Sequence, residues 1–164
     1  MNEKMKLTND ELSLMSLFEG LTDVFPIACK IYGDNVFFIV NKKDFYKLLA
    51  SGFRMLLHKP GGRRNKVRPN HVISTLVSEL SKTVGKNINI TFYDGDLESF
   101  VRNFFRLSRE DTVIIRESGD GNKIVTIIVD PGKRGKVIGR GGSKAKVGRE
   151  FARAFFNVKT IIIK

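Results

Sequence analysis

Apolar residues along the chain fall into helix-period and strand-period runs, and the same order of runs occurs twice. Thr8 to Glu11 reads as a capping box, each side chain satisfying the other's open backbone donor, and Leu14, Met15, Phe18 and Leu21 follow at helical spacing. The β-branched and aromatic runs Ile27 to Tyr32 and Val36 to Val40 predict two strands, joined at Gly33-Asp34-Asn35, residues suited to the positive φ of a hairpin. A helical stretch from Lys43 to about Ala50 comes next, then a polar, basic loop from Ser51 to Pro69. Asn70 to Lys82 carries Val72, Ile73, Leu76, Val77 and Leu80 on one helical face and stops at Gly85, and Asn87 to Tyr93 alternates as a strand.

The pattern then restarts. Asp96 caps a helix whose Leu97, Phe100, Val101, Phe104 and Phe105 form one apolar stripe. Thr112 to Arg116 and Lys123 to Val129 predict the second strand pair, with a turn at Gly119-Asp120-Gly121-Asn122. Gly132 to Ile138 forms a short helix, Ser143 caps the next one with Val147, Phe151 and Phe155 inward, Asn157 gives a left-handed stop, and Val158 to Ile163 closes as a strand. Each half is helix, strand, strand, helix, turn, helix, strand, so a duplicated α+β unit is expected. The boundary falls near Asp94-Gly95: residues 1–5 are a tail, 6–94 a first domain and 95–164 a second.

Charge adds a partner to this scaffold. With 29 Lys and Arg against 17 Asp and Glu, the formal charge is +12, which favours a polyanion. Lys59, Arg63, Arg64, Lys66 and Arg68 cluster in the first half, and Lys133, Arg134, Lys136, Arg140, Lys144, Lys146 and Arg149 at the equivalent point of the second, with no carboxylate inside either stretch. Asp94, Asp96, Glu98, Glu110, Asp111, Glu117 and Asp120 gather elsewhere, which predicts a two-sided field. Cys29 is the single cysteine, so neither a disulfide framework nor a zinc ligand set is present, and a buried apolar role in a reducing cytoplasm is expected. No apolar run reaches the roughly 20 residues of a membrane span.

The most specific segment is Val137-Ile138-Gly139-Arg140-Gly141-Gly142-Ser143-Lys144, where glycines leave the main chain bare beside dense positive charge. It is neither a phosphate-binding loop, which needs a Gly-Lys-Ser/Thr ending, nor a dinucleotide fingerprint, whose last glycine would fall at Lys144. His58 and His71, the two histidines, have no nucleophile or carboxylate partner by motif, so no enzyme, cofactor or metal site is expected.

Strand, short helix, Ile-Gly-x-x-Gly, longer helix and strand resembles the KH fold, with Gly139-Arg140-Gly141-Gly142 as its GxxG signature. The leading helix and strand pair resemble the type II arrangement, which implies two tandem type II KH-like domains, each a three-stranded mixed sheet packed by three helices. The paired domains, the opening Leu7-Thr8-Asn9-Asp10-Glu11 and the segment Asp130-Pro131-Gly132-Lys133-Arg134-Gly135-Lys136 resemble short archaeal NusA-type transcription factors. That resemblance implies single-stranded RNA clamped along about four nucleotides at the GxxG loop, in elongation, termination or antitermination. The implied contact residues are Lys133, Arg134, Lys136, Val137, Ile138, Gly139, Arg140, Gly141, Gly142, Ser143, Lys144 and Lys146, with Val147 more on the core side. The first half has adjacent glycines but no GxxG, so Gly61, Gly62, Arg63, Arg64, Lys66 and Arg68 form a secondary, electrostatic contact. RNA polymerase or the ribosome are the further partners so implied, for a cytoplasmic monomer. A ribosome-associated or ribosome-assembly RNA-binding protein is the alternative reading, since type II KH domains resemble those of small-subunit proteins.

Overall fold

A computed structural model describes residues 5–58 and 68–164. Its contacts divide the described residues into two units, Leu7–Tyr93 and Asp94–Lys164, with Met5 and Lys6 grouped with the second.

In the first unit Thr8 and Glu11 form the capping box that starts α1 (Asn9–Thr22): Thr8 N donates to Glu11 Oε2 at 2.9 Å and Glu11 N to Thr8 Oγ1 at 3.1 Å. Glu11 is buried and does a second job. Its Oε1 accepts Ile31 N at 3.1 Å and lies 3.8 Å from Lys30 Nζ, so the cap also pins the helix to β1 (Ala28–Tyr32). β1 pairs antiparallel with β2 (Asn35–Asn41), and β2 pairs parallel with β3 (Asn87–Tyr93), giving the order β1-β2-β3. Met15, Phe18, Val36, Phe38, Leu48, Leu76 and Leu80 meet in the core, where Phe18 and Phe38 rings lie 4.6 Å apart. Cys29 is fully buried, and burial, reinforced by Glu11, pushes its thiol up to about 12, so it stays protonated and inert at neutral pH.

Three expectations are corrected here. Thr22, not Leu21, turns inward: its hydroxyl donates to Phe18 O at 2.7 Å, which satisfies a buried polar group, while Leu21 is exposed. A single 3-10 turn (Lys42–Asp44) precedes α2 (Phe45–Leu57), which runs seven residues past Ala50. Tertiary contacts carry it through two poor helix formers. Ser51 Oγ donates to Thr22 O at 2.7 Å, and a Cβ on Gly52 would stand 2.7 Å from Val72 Cγ1, so only glycine lets α2 lie this close to α3 (Pro69–Val84).

The second unit has the same order. Asp96 accepts from Ser99 N at 2.8 Å to start α4 (Leu97–Phe105), whose five stripe residues are all buried. β4 (Thr112–Glu117) pairs antiparallel with β5 (Lys123–Ile128), and β5 pairs parallel with β6 (Val158–Ile163) across a register shift between Lys123 and Ile124. Between β5 and β6 come α5 (Pro131–Ile138) and α6 (Ser143–Phe156), which ends on Asn157 at φ 56°. The core is aromatic: Phe100, Phe104, Phe105, Phe151 and Phe156 are buried, each contributing about 1.5–3 kcal/mol. Phe156 takes the inward place expected of Phe155, which is half-buried and stacks on Phe151 at 6.1 Å. Gly148 lets α6 close on α4, since a Cβ there would stand 2.6 Å from Phe105 Cζ.

The fold class is therefore α+β, with two three-stranded mixed sheets, each accompanied by three α-helices among the described residues.

Candidate functional site

Pro131 opens α5 at its first turn, where its missing N–H costs nothing. The helix stops at Gly139, whose N–H still reaches Gly135 O at 3.0 Å while φ 81° and ψ 160° take the chain into a region essentially reserved for glycine. A side chain there has no room: a Cβ would lie 2.8 Å from Ser143 Oγ and 2.9 Å from Lys144 N. Arg140–Gly142 then makes one 3-10 turn closed by Gly142 N to Gly139 O at 3.0 Å, with Gly141 at φ 62° and Gly142 at φ 76°. The outer sides of Gly141 and Gly142 are open, with no heavy atom within 4 Å of a Cβ built on either. Arg140 and Gly141 are exposed at the tip.

Ser143 does not cap α6. Gly142 occupies that position in a left-handed conformation, and Ser143 is 3% exposed, its hydroxyl packed behind Gly139. Val137 and Val147 are buried in the core, Ile138 is half-buried, and Arg134, Lys136 and Lys146 are exposed.

Beside the loop lies a cleft of about 850 Å³. Lys133, Lys136, Val137, Gly139, Arg140 and Lys144 line it from α5, the glycine turn and the start of α6. The rest of its lining, which the sequence did not point to, is Phe105 at the end of α4 with Arg106, Ser108 and Asp111 from the turn to β4. Sequence distance hid these residues; the one local clue was an arginine at a helix stop. Arg106 ends α4 at φ 53°, donating its N–H to the carbonyls of Arg102 and Asn103, in a conformation that costs a residue without a short polar side chain about 1–2 kcal/mol. Arg102 fixes the turn by donating to Ser108 O at 3.3 Å and Asp111 O at 3.1 Å.

The electrostatics depart from the expected two-sided field, because Asp111 faces the cleft and not the opposite surface. Its Oδ2 accepts Ser108 N at 2.7 Å and Ser108 Oγ at 3.0 Å, and Lys133 Nζ stands 3.7 Å from Oδ1. The Ser108 amide, then its hydroxyl and the Lys133 ammonium, hold the Asp111 carboxyl below the usual carboxylate range. Lys133 is thus partly neutralised. Lys144 is not: burial, and after it the Arg106 guanidinium, push its pKa down, and neither residue has a carboxylate within ion-pair distance among the described residues.

Of the secondary set, Gly61, Gly62, Arg63, Arg64 and Lys66 lie outside the described residues, and Arg68 is the exposed, extended residue that begins α3. No group of three or more His, Cys, Asp or Glu is placed to hold a metal among the described residues, and no helix there is long and apolar enough to cross a membrane.

The order of elements, the parallel pairing of β5 with β6 and the glycine turn between α5 and α6 define tandem KH-like domains. From end to end the chain is similar to short archaeal NusA-type proteins. It is 26% identical over 166 residues to the probable transcription termination protein NusA of Thermoplasma acidophilum, covering 100% of this chain and 98% of that one. To the protein of the same name from Methanocaldococcus jannaschii it is 24% identical over 139 residues, covering 85% of this chain and 64% of that one. The crystal structure of APE1850 superposes with a TM-score of 0.61 at 27% identity, covering 96% of this chain and 100% of that one. No family model matches the sequence.

Proposed function

We propose that this protein is a non-enzymatic, single-stranded RNA-binding factor of transcription, and that residues 95–164 form the domain that clamps the strand, with 6–94 as a KH-like companion. The observation that carries the reading is the turn that follows Gly139, in which Gly141 and Gly142 leave the main chain open and Arg140 is exposed to solvent. A backbone of phosphates can approach such a turn closely, and a clamp of this kind takes about four nucleotides. Lys136, Arg140, Lys144 and Lys146 supply the ionic part, each neutralised phosphate adding about 0.7 to the log-log salt slope. The names of the two archaeal relatives support the assignment to transcription.

The test is binding of short unstructured RNA across a salt series. Replacing Arg140 and Gly141 together with Asp sets two negative charges against the strand, and Asp tolerates the left-handed φ of 62° at Gly141. Most affinity is expected to vanish with the denaturation midpoint unchanged. Wild-type binding by that variant would take the loop out of the mechanism.

A further inference from the structure

We propose that Arg106 is an RNA-phosphate contact, and that the cleft between the α4–β4 turn and the glycine loop seats one nucleotide of the bound strand, its phosphate held between Arg106 and Lys144. The inference rests on the RNA-binding reading above and extends the interface to a face that the GxxG signature does not include.

Three observations carry it. The cleft, at about 850 Å³, is within the range of roughly 300–1,000 Å³ that takes small ligands, and Phe105 and Val137 give it an apolar back for a base or sugar. Its rim holds Arg106, Lys136, Arg140 and Lys144, while the one carboxylate present, Asp111, is already occupied by Ser108 and Lys133 and repels an incoming phosphate less than a free acid would. Arg106 and Lys144 line the same cleft, and two cations sharing one are stabilised when an anion enters; Lys144 is half-buried, and Arg106 is close enough to disfavour its charge.

The third observation is the backbone at Arg106. The left-handed ends of α1, α3 and α6 are Asp23, Gly85 and Asn157, residue types that accept positive φ readily. α4 alone among them ends on a long cationic side chain at φ 53°. An arginine held where Asn or Gly would sit with less strain marks a position kept for its side chain.

The test uses R106N, which removes the charge and suits the left-handed backbone, with R106K and R140D/G141D alongside. In a salt series with short random-sequence RNA, R106N is expected to lower the log-log slope by about 0.7 and to retain or raise the thermal midpoint, while R106K keeps the wild-type slope. Because one phosphate is shared, adding K144Q to R106N is expected to cost less affinity than K144Q alone. A wild-type slope and affinity for R106N, with binding abolished by R140D/G141D, would overturn the cleft and leave the loop standing. Absence of RNA binding by the wild type would overturn both. Saturable AMP binding lost in R106N, without change in its RNA slope, would assign the cleft to a free nucleotide and overturn the strand assignment.

Discussion

The first helix of each unit ends in the same left-handed conformation, at Asp23 in α1 and Arg106 in α4, and the charge at that corner is opposite. In the first unit Asp23 pairs with Arg54 of α2 at 3.2 Å, and Ser51 of the same helix donates to Thr22 O, so a 13-residue α2 stitches the corner shut. In the second, α5 has only 8 residues and ends at the glycine turn, and Arg106 lines an open cleft together with Lys144. One topology therefore serves two ends. Where the corner charge is paired it is framework; under the proposed function, the corner whose cations lack acids forgoes stability that a bound RNA strand would restore.

The largest expected effect comes from closing the turn. Gly139→Ala would combine a backbone region closed to alanine with a clash on Ser143 and Lys144, and a loss of about 3 kcal/mol is expected in the second unit. Amide exchange under mild denaturant should show that loss in β4–β6 and not in β1–β3; a uniform response would mean the two units do not differ in this way.

Asp111→Asn sharpens the contrast next. The carboxyl pKa is lowered in the folded protein, so its contribution is present above the unfolded value of 3.8 and is lost as pH falls through the folded value. The variant should be less stable than wild type near neutrality and converge with it in acid, read from denaturation midpoints against pH.

For Lys144 the sign is reversed. A lysine with a lowered folded pKa binds fewer protons folded than unfolded, so wild-type stability should rise as pH climbs through the lowered value toward 10.5. Lys144→Gln should raise the midpoint slightly at neutral pH, abolish that rise and weaken RNA binding, separating a functional charge from a structural one.

The smallest effect belongs to the first corner. Asp23 and Arg54 side chains are 76% and 60% exposed, and breaking their pair by Arg54→Met should cost at most about 0.5 kcal/mol, with no change in RNA salt slope.

Several of these features were legible in the chain itself because they are set by near neighbours. The Thr8–Glu11 box, the stops at Gly85 and Asn157 and the phenylalanine stripe of α4 depend on spacings of a few residues and formed as read. Local pattern failed where partners were distant. Helical period alone favoured Leu21 and Phe155, whereas packing turned Thr22 and Phe156 inward, and Ser51 and Gly52 read as a loop until Thr22 O and Val72 supplied their contacts. Ser143 looked like a cap by residue type, but Gly142 already had the left-handed geometry and left the hydroxyl to be buried.

The amino-acid order by itself determined the two helix-and-strand repeats, the bare glycine turn and the excess of positive charge, since each follows from residue type and short-range spacing. Only the tertiary structure decided which charges meet. Asp111 lies 22 residues from Lys133 in the chain yet 3.7 Å from it in space, and Arg106 comes to share a cleft with Lys144 because Gly148 lets α6 close on α4. Coulomb energies follow distance and burial, and neither can be read along a chain until the core has packed.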